Sequence, residues 1–91
     1  MQIMDKKEIQ LTMLDYLIRF KPAKWNASHT EEKNLFKKFP THMRGTKEVK
    51  KALEELYQWE FINRYMKTGE IHVSLNISKK KEIEEFLEQE F

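Results

Sequence analysis

Between Thr46 and Ile77 the hydrophobic pattern changes its period once, and that change limits the folds open to this chain. Val49, Leu53 and Leu56 recur at helical spacing behind Thr46, whose hydroxyl suits it to accept an orphan N–H at a helix N-terminus. At about 100° per residue, Lys47, Lys51, Glu54 and Gln58 line the opposite face. After Glu60, the runs FINRYM and EIHVSLNI are rich in β-formers, and KTG between them supplies a turn. The pattern predicts a polar-faced helix over 47–59 that runs directly into a hairpin over about 61–77.

The register of that hairpin can be argued from the turn. A two-residue loop at Thr68-Gly69 needs a positive φ at Thr68, which a β-branched residue resists. A three-residue loop, Lys67-Thr68-Gly69, needs one only at Gly69. The second choice sets Tyr65 opposite Ile71 and Asn63 opposite Val73. Phe61, Tyr65, Ile71, Val73 and Leu75 then face inward, with Arg64 and His72 outward.

Three further helices are expected. The first, over 5–20, opens on a capping-box pair, Asp5 and Glu8, and carries an apolar line of Ile9, Met13, Leu17 and Phe20. Leu14 and Ile18 widen that line, and Pro22 ends the helix. KPAKWNA reads as a linker with room for one short strand. Ser28 and Glu31 match a second capping box, which opens a short helix over 29–38 with Leu35, Phe36 and Phe39 buried. FPTHMRG then connects to the third helix and is longer than a minimal helix-turn-helix link. Ser78 opens a fourth helix over 79–90 with Ile83, Phe86 and Leu87 inward. Lysines 79–81 in its first turn and Glu88 and Glu90 in its last oppose the helix dipole, and Lys80–Glu84 and Lys81–Glu85 pairs offset part of that.

Composition narrows the function classes. The 91 residues are enough for one domain. There is no cysteine, so disulfides and thiolate metal sites are out, and the cytoplasm is the expected compartment. No apolar run approaches the roughly 18 residues of a membrane span, and MQIMDKKEIQ lacks a signal-peptide core. His29, His42 and His72 show no ligand spacing, so no metal is expected. Gly45 and Gly69 are the only glycines, which leaves no phosphate-cradling loop or dinucleotide fingerprint. No catalytic constellation is visible, so the chain is expected to be neither an enzyme nor a cofactor binder. Trp59 lies near the apolar side of its helix and is expected in the core; Trp25 in the linker is open to a stacking role.

The charge is uneven. Through Lys50 there are eleven Lys or Arg against six Asp or Glu; from Lys51 onward there are six against nine. Such a basic front suits a polyanion-facing side. Arg44, Thr46, Lys47, Lys50 and Lys51 cluster at the start of the third helix, where cationic side chains and helix N–H groups both attract phosphate oxygens. Gln58 is placed to meet a base edge, and Arg64 and Lys67 on the hairpin reinforce the patch. The alternative is a solvated face with Lys50–Glu54 and Lys51–Glu55 pairs. Glu54 and Glu55 also repel phosphate, so only the N-terminal half of the helix can approach DNA.

The order helix, helix, helix, strand, strand, helix is α+β, mostly α, and is the order of a winged helix-turn-helix with a short hairpin wing. The run HTEEKNLFKKFPTHMRGTKEVKKALEELYQWEFI, followed by KTGEIHVSLN, resembles small archaeal winged-helix proteins over roughly residues 20 to 85. FPTHMRG and HVSLN are its most distinctive pieces. The resemblance implies duplex DNA binding through the third helix and wing, in a small transcriptional regulator. On the matching positions it implicates Lys47, Lys50, Lys51, Arg64 and Lys67. The competing reading is a protein-interaction module built on the same scaffold, suggested by the low net charge and acidic tail. The broadly apolar first helix and the adverse end charges of the fourth also predict a homodimer through the terminal helices; the alternative is that the fourth helix packs back on the first within one chain and covers the same surface, and Phe91 adds apolar surface that suits either arrangement.

Overall fold

The structure is a computed structural model and describes residues 4–89. Its first helix, α1 (Lys6–Ile18), starts where the sequence indicates. The Asp5 carboxylate accepts from Glu8 N–H at 2.8 Å, and Asp5 N–H donates to the Glu8 carboxylate at 3.2 Å. Ile9, Leu11, Met13, Leu14 and Leu17 are all buried. Helix α1 is therefore apolar over more than one stripe, and it needs cover on more than one side.

That cover comes from three elements. Helix α3 (Lys47–Gln58) turns Val49, Ala52, Leu53 and Leu56 toward α1 and the core. Helix α4 (Lys80–Glu88) packs back on α1 within the same chain and buries Ile83 completely, with Phe86 and Leu87 half-buried beside it. The sheet closes the core with Ile62, Val73 and Leu75. The apolar breadth of α1, on which the expected homodimer rested, is thus covered inside one chain. The end of the fourth helix expected at Glu90, and Phe91, lie outside the described residues.

The stretch expected to be a helix over 29–38 divides differently. Thr30–Glu31 form a strand, β1, and only Lys33–Phe36 form helix α2. The Ser28–Glu31 capping box is not formed. Instead Thr30 pairs with Val73 and Glu31 with His72. A two-stranded hairpin is marginal alone, and a third antiparallel strand satisfies backbone groups along its open edge. Trp25 adds a bridge to Leu75 in the linker. The sheet order is β1-β3-β2, with β2 spanning Ile62–Lys67 and β3 spanning Glu70–Leu75.

The hairpin turn is the two-residue one. Thr68 has φ 48° and Gly69 φ 81°, so both central residues are left-handed. Lys67 then pairs with Glu70, Tyr65 with His72 and Arg64 with Val73. This corrects the three-residue loop and inverts the faces of β2: Ile62 and Arg64 share a face with Val73 and Leu75, while Tyr65 joins His72 on the outer face. The reason is burial. The observed register puts Ile62 opposite Leu75 and buries both, whereas the slipped one would turn half-exposed Tyr65 inward in place of Ile62. That gain outweighs a strained threonine, whose hydroxyl also donates to the Lys67 carbonyl at 2.7 Å.

Two helix ends depart from the expected sequence signals. Helix α3 ends in a Schellman motif: Phe61 N–H donates to the Leu56 carbonyl at 3.1 Å and Glu60 N–H to that of Tyr57 at 3.0 Å. Glu60 occupies the left-handed position with φ 61°, where glycine is usual. This turn folds the hairpin back beside α3. Before α4, Asn76 rather than Ser78 is the cap: its side chain accepts from Ser78 N–H, and a 3-10 turn over Ile77–Lys79 leads into the helix. The Lys80–Glu84 and Lys81–Glu85 pairs are not formed among the described residues; Lys80 lies over the Trp25 ring instead. No helix of the described residues is long and apolar enough to cross a membrane.

Candidate nucleic-acid interface

Thr46 is the cap expected of it. Its hydroxyl accepts from Val49 N–H at 3.4 Å and donates to the Met43 carbonyl at 2.8 Å, which fixes the angle at which the chain enters α3. The entry is a 3-10 turn over Thr41–Met43. Arg44 takes part in this scaffold: its Nε donates to the Phe39 carbonyl at 2.8 Å and one terminal nitrogen to that of Lys37 at 3.4 Å. Its guanidinium closes the α2–α3 connection, so it positions the site as well as adding charge.

Lys47, Lys50 and Lys51 are all exposed on the first turns of α3. Among the described residues none is paired with a carboxylate. The expected Lys51–Glu55 pair is replaced by a longer-range one, in which Lys6 donates to Glu55 at 2.8 Å. The buried amide of Gln10 donates to the same carboxylate at 3.1 Å and to the Ala52 carbonyl at 3.2 Å. The Lys6 bond, then the Gln10 bond, hold the Glu55 carboxyl below its ordinary range. Glu55 thus turns toward α1, and the charge of Lys51 is left unneutralised. The Lys50–Glu54 pair is likewise unformed. Three free ammonium groups therefore stand where the helix dipole also favours an anion.

Lys50, Gln58 and Arg64 come together in an open groove of about 850 Å³ between α3 and β2. The inverted register of β2 is what brings Arg64 there. Its guanidinium lies 5.7 Å from the centre of the Tyr57 ring, and the Tyr57 hydroxyl donates to Glu32 at 2.5 Å. Burial, then the Glu32 hydrogen bond and charge, push the Tyr57 phenol well above its ordinary pKa, so it stays a proton donor. Phe36, Leu53 and Ile62 form the floor. The groove carries two cations, Lys50 and Arg64, against three carboxylates, Glu32, Glu54 and Glu60. The basic surface is consequently broken, and its continuous part is the N-terminal half of α3.

Lys67 does not join this group. It shares the outer face of the sheet with Tyr65 and His72, and its charge acts on His29. Trp59, expected in the core, is 39% exposed and stacks edge-on against Phe61 and Phe86. Trp25 is half-buried against the core.

Sequence spacing missed one pairing altogether. His29, just before β1, and His72 on β3, 43 positions apart, meet with Nδ1 atoms 2.9 Å apart. Only the strand pairing of Glu31 with His72 could have revealed it. Among the described residues there is no cluster of three or more His, Cys, Asp or Glu arranged for a metal ion. Comparison with protein-family models, with curated proteins and with solved structures finds no match.

Proposed function

We propose that the chain is a winged helix-turn-helix domain that binds duplex DNA, as a small transcriptional regulator would, through the N-terminal half of α3. The observation that carries this reading is the set of three unpaired lysines, Lys47, Lys50 and Lys51, on a capped helix N-terminus. Each is free to replace a counterion on a phosphate. Gln58 ends the same helix, Arg64 stands beside it on β2, and Arg44 braces its entry. The α+β element order and the hairpin beside the third helix are compatible with the winged layout.

The test is fluorescence anisotropy of a labelled random-sequence duplex at about 50 mM salt, where phosphate contacts dominate non-specific binding. The wild type is expected to bind, and K47E/K50E/K51E to lose most of that binding. No binding by the wild type, or equal binding by the variant, rejects the reading.

One observation favours a second reading. The groove between α3 and β2 has an apolar floor and more carboxylates than cations, which suits a protein segment better than a phosphate backbone. A stoichiometric protein partner, recovered after nuclease treatment and lost on Arg64→Glu but kept in K47E/K51E, which lies outside the groove, would select this interaction-module reading.

A further inference from the structure

We propose that His29 and His72 form a two-imidazole site for a divalent transition-metal ion of the copper or nickel type, on the outer face of the sheet. The proposal is independent of the DNA reading and uses none of its residues. The two rings are half-buried, their planes lie 85° apart, and their Nδ1 atoms are separated by 2.9 Å. Imidazole nitrogen is a ligand suited to late first-row metals.

The separation is that of the hydrogen bond in the empty pair, and it also matches the spacing of neighbouring ligands around a tetragonal ion. With metal–nitrogen bonds of about 2.0–2.1 Å, nitrogens 2.9 Å apart subtend about 90° at a shared ion. That is the angle between neighbouring ligands in square-planar or tetragonal coordination, the arrangement of Cu²⁺ and Ni²⁺. A tetrahedral ion such as Zn²⁺ asks for a separation of about 3.4 Å, and structural zinc sites use four protein ligands. Here two protein ligands are present, and water completes the shell.

The protons balance without loss. In the empty pair one ring donates its Nδ1–H and the other accepts. On metal binding the donor ring shifts to its Nε2–H tautomer, so that both Nδ1 lone pairs turn to the ion and both rings remain neutral. Each Nδ1, directed along the line to its partner in the empty pair, swings by about 45° so that both lone pairs meet one ion, and the rings reorient on binding.

The surroundings set a modest affinity. Glu31 is directly opposite His72 and shares its face. Its carboxyl is held below the ordinary range first by the Lys33 hydrogen bond and also by the His72 charge. Lys67 and Lys24 act on His29 with the opposite sign. Glu31 is ion-paired with Lys33 at 2.9 Å, so it offsets the opposing charges of Lys67 and Lys24 only in part, and Cu²⁺, at the top of the divalent affinity series, binds tightest. An ion held here clips the two-residue β1 to the centre of the sheet.

The test titrates the full chain with copper(II) chloride and, separately, nickel(II) chloride and zinc chloride in a non-chelating buffer. Tyrosine and tryptophan fluorescence and the thermal midpoint are followed. One equivalent of Cu²⁺ is expected to quench fluorescence and raise the midpoint, because an ion that binds only the folded chain stabilises it. Binding should weaken at least tenfold in H29Q and in H72Q and stay unchanged in H42Q, with Zn²⁺ weaker than Cu²⁺. Absence of binding, binding that survives H29Q and H72Q, or Zn²⁺ binding as tightly as Cu²⁺ overturns the proposal. If either variant fails to fold, paramagnetic broadening by Cu²⁺ in the wild type decides. Loss centred on Thr30, Tyr65 and His72 supports the site, and loss centred elsewhere overturns it.

Discussion

Replacing Ile83 with alanine tests how α4 is held. Ile83 is the only fully buried residue of α4 among the described ones, and it anchors that helix on α1. The substitution removes three carbons, about 2.4 kcal/mol of transfer free energy at roughly 0.8 kcal/mol each. A partly collapsed cavity adds to this, so a loss of about 3 kcal/mol is expected, inside the usual range for large-to-alanine changes in a core. A domain of this size has a stability of roughly 5–13 kcal/mol. The loss should therefore lower the thermal midpoint by about 12–24 °C without abolishing the fold. Circular dichroism melts of wild type and variant at two protein concentrations tenfold apart would measure it. Because α4 docks within its own chain, neither midpoint should move with concentration. A loss below about 1 kcal/mol, or a wild-type midpoint that rises with concentration, would refute the argument. The second result would favour a dimer through the terminal helices.

Other substitutions probe the turns and the acid side of the stability curve. Glu60→Gly places glycine at the left-handed position that ends α3 and should raise stability by about 0.5–1 kcal/mol in urea melts. It also removes a groove carboxylate, so duplex affinity should rise in the same variant. Thr68→Asn, which suits the first position of this hairpin turn, should stabilise by a similar amount, about 0.5–1 kcal/mol. A loss of stability on that substitution would speak against the two-residue turn. Glu55 has its folded pKa depressed by Lys6 and Gln10, so the stability it adds is present above its unfolded pKa and is lost as pH falls through the lower folded value. Glu55→Gln should therefore flatten the acid limb of a stability–pH profile, and an unchanged limb would contradict that role.

Much of the architecture is legible in local signals. The Asp5–Glu8 box and the Thr46 cap each depend on residues within one turn, and both form as their spacing indicates. The third helix and the hairpin follow from a clean change of period. What the sequence conceals depends on distant partners. Thr30 and Glu31 look like a helix start until β3 is present to pair with them. The faces of β2 depend on a turn in which burial of Ile62 overrides the backbone preference of Thr68. In the candidate site, the exposure of Lys47, Lys50 and Lys51 follows from helix periodicity alone. The release of Lys51 from Glu55 does not, because it needs Lys6 and Gln10 on another helix. Arg64 reaches the α3 groove, and Lys67 leaves it, through the same register change.

The salt dependence of duplex binding tests the central claim most directly. Each phosphate neutralised adds about −0.9 to the slope of log K against log salt on B-DNA. With Lys47, Lys50 and Lys51 in contact, the wild-type slope should be about −3 or steeper. Neutralising all three in K47Q/K50Q/K51Q should make it shallower by about 2–3, while K79Q/K80Q/K81Q, at the turn into the fourth helix and its start, leaves it unchanged. A wild-type slope near zero, or equal slopes in the wild type and the first variant, would contradict DNA binding through the start of α3.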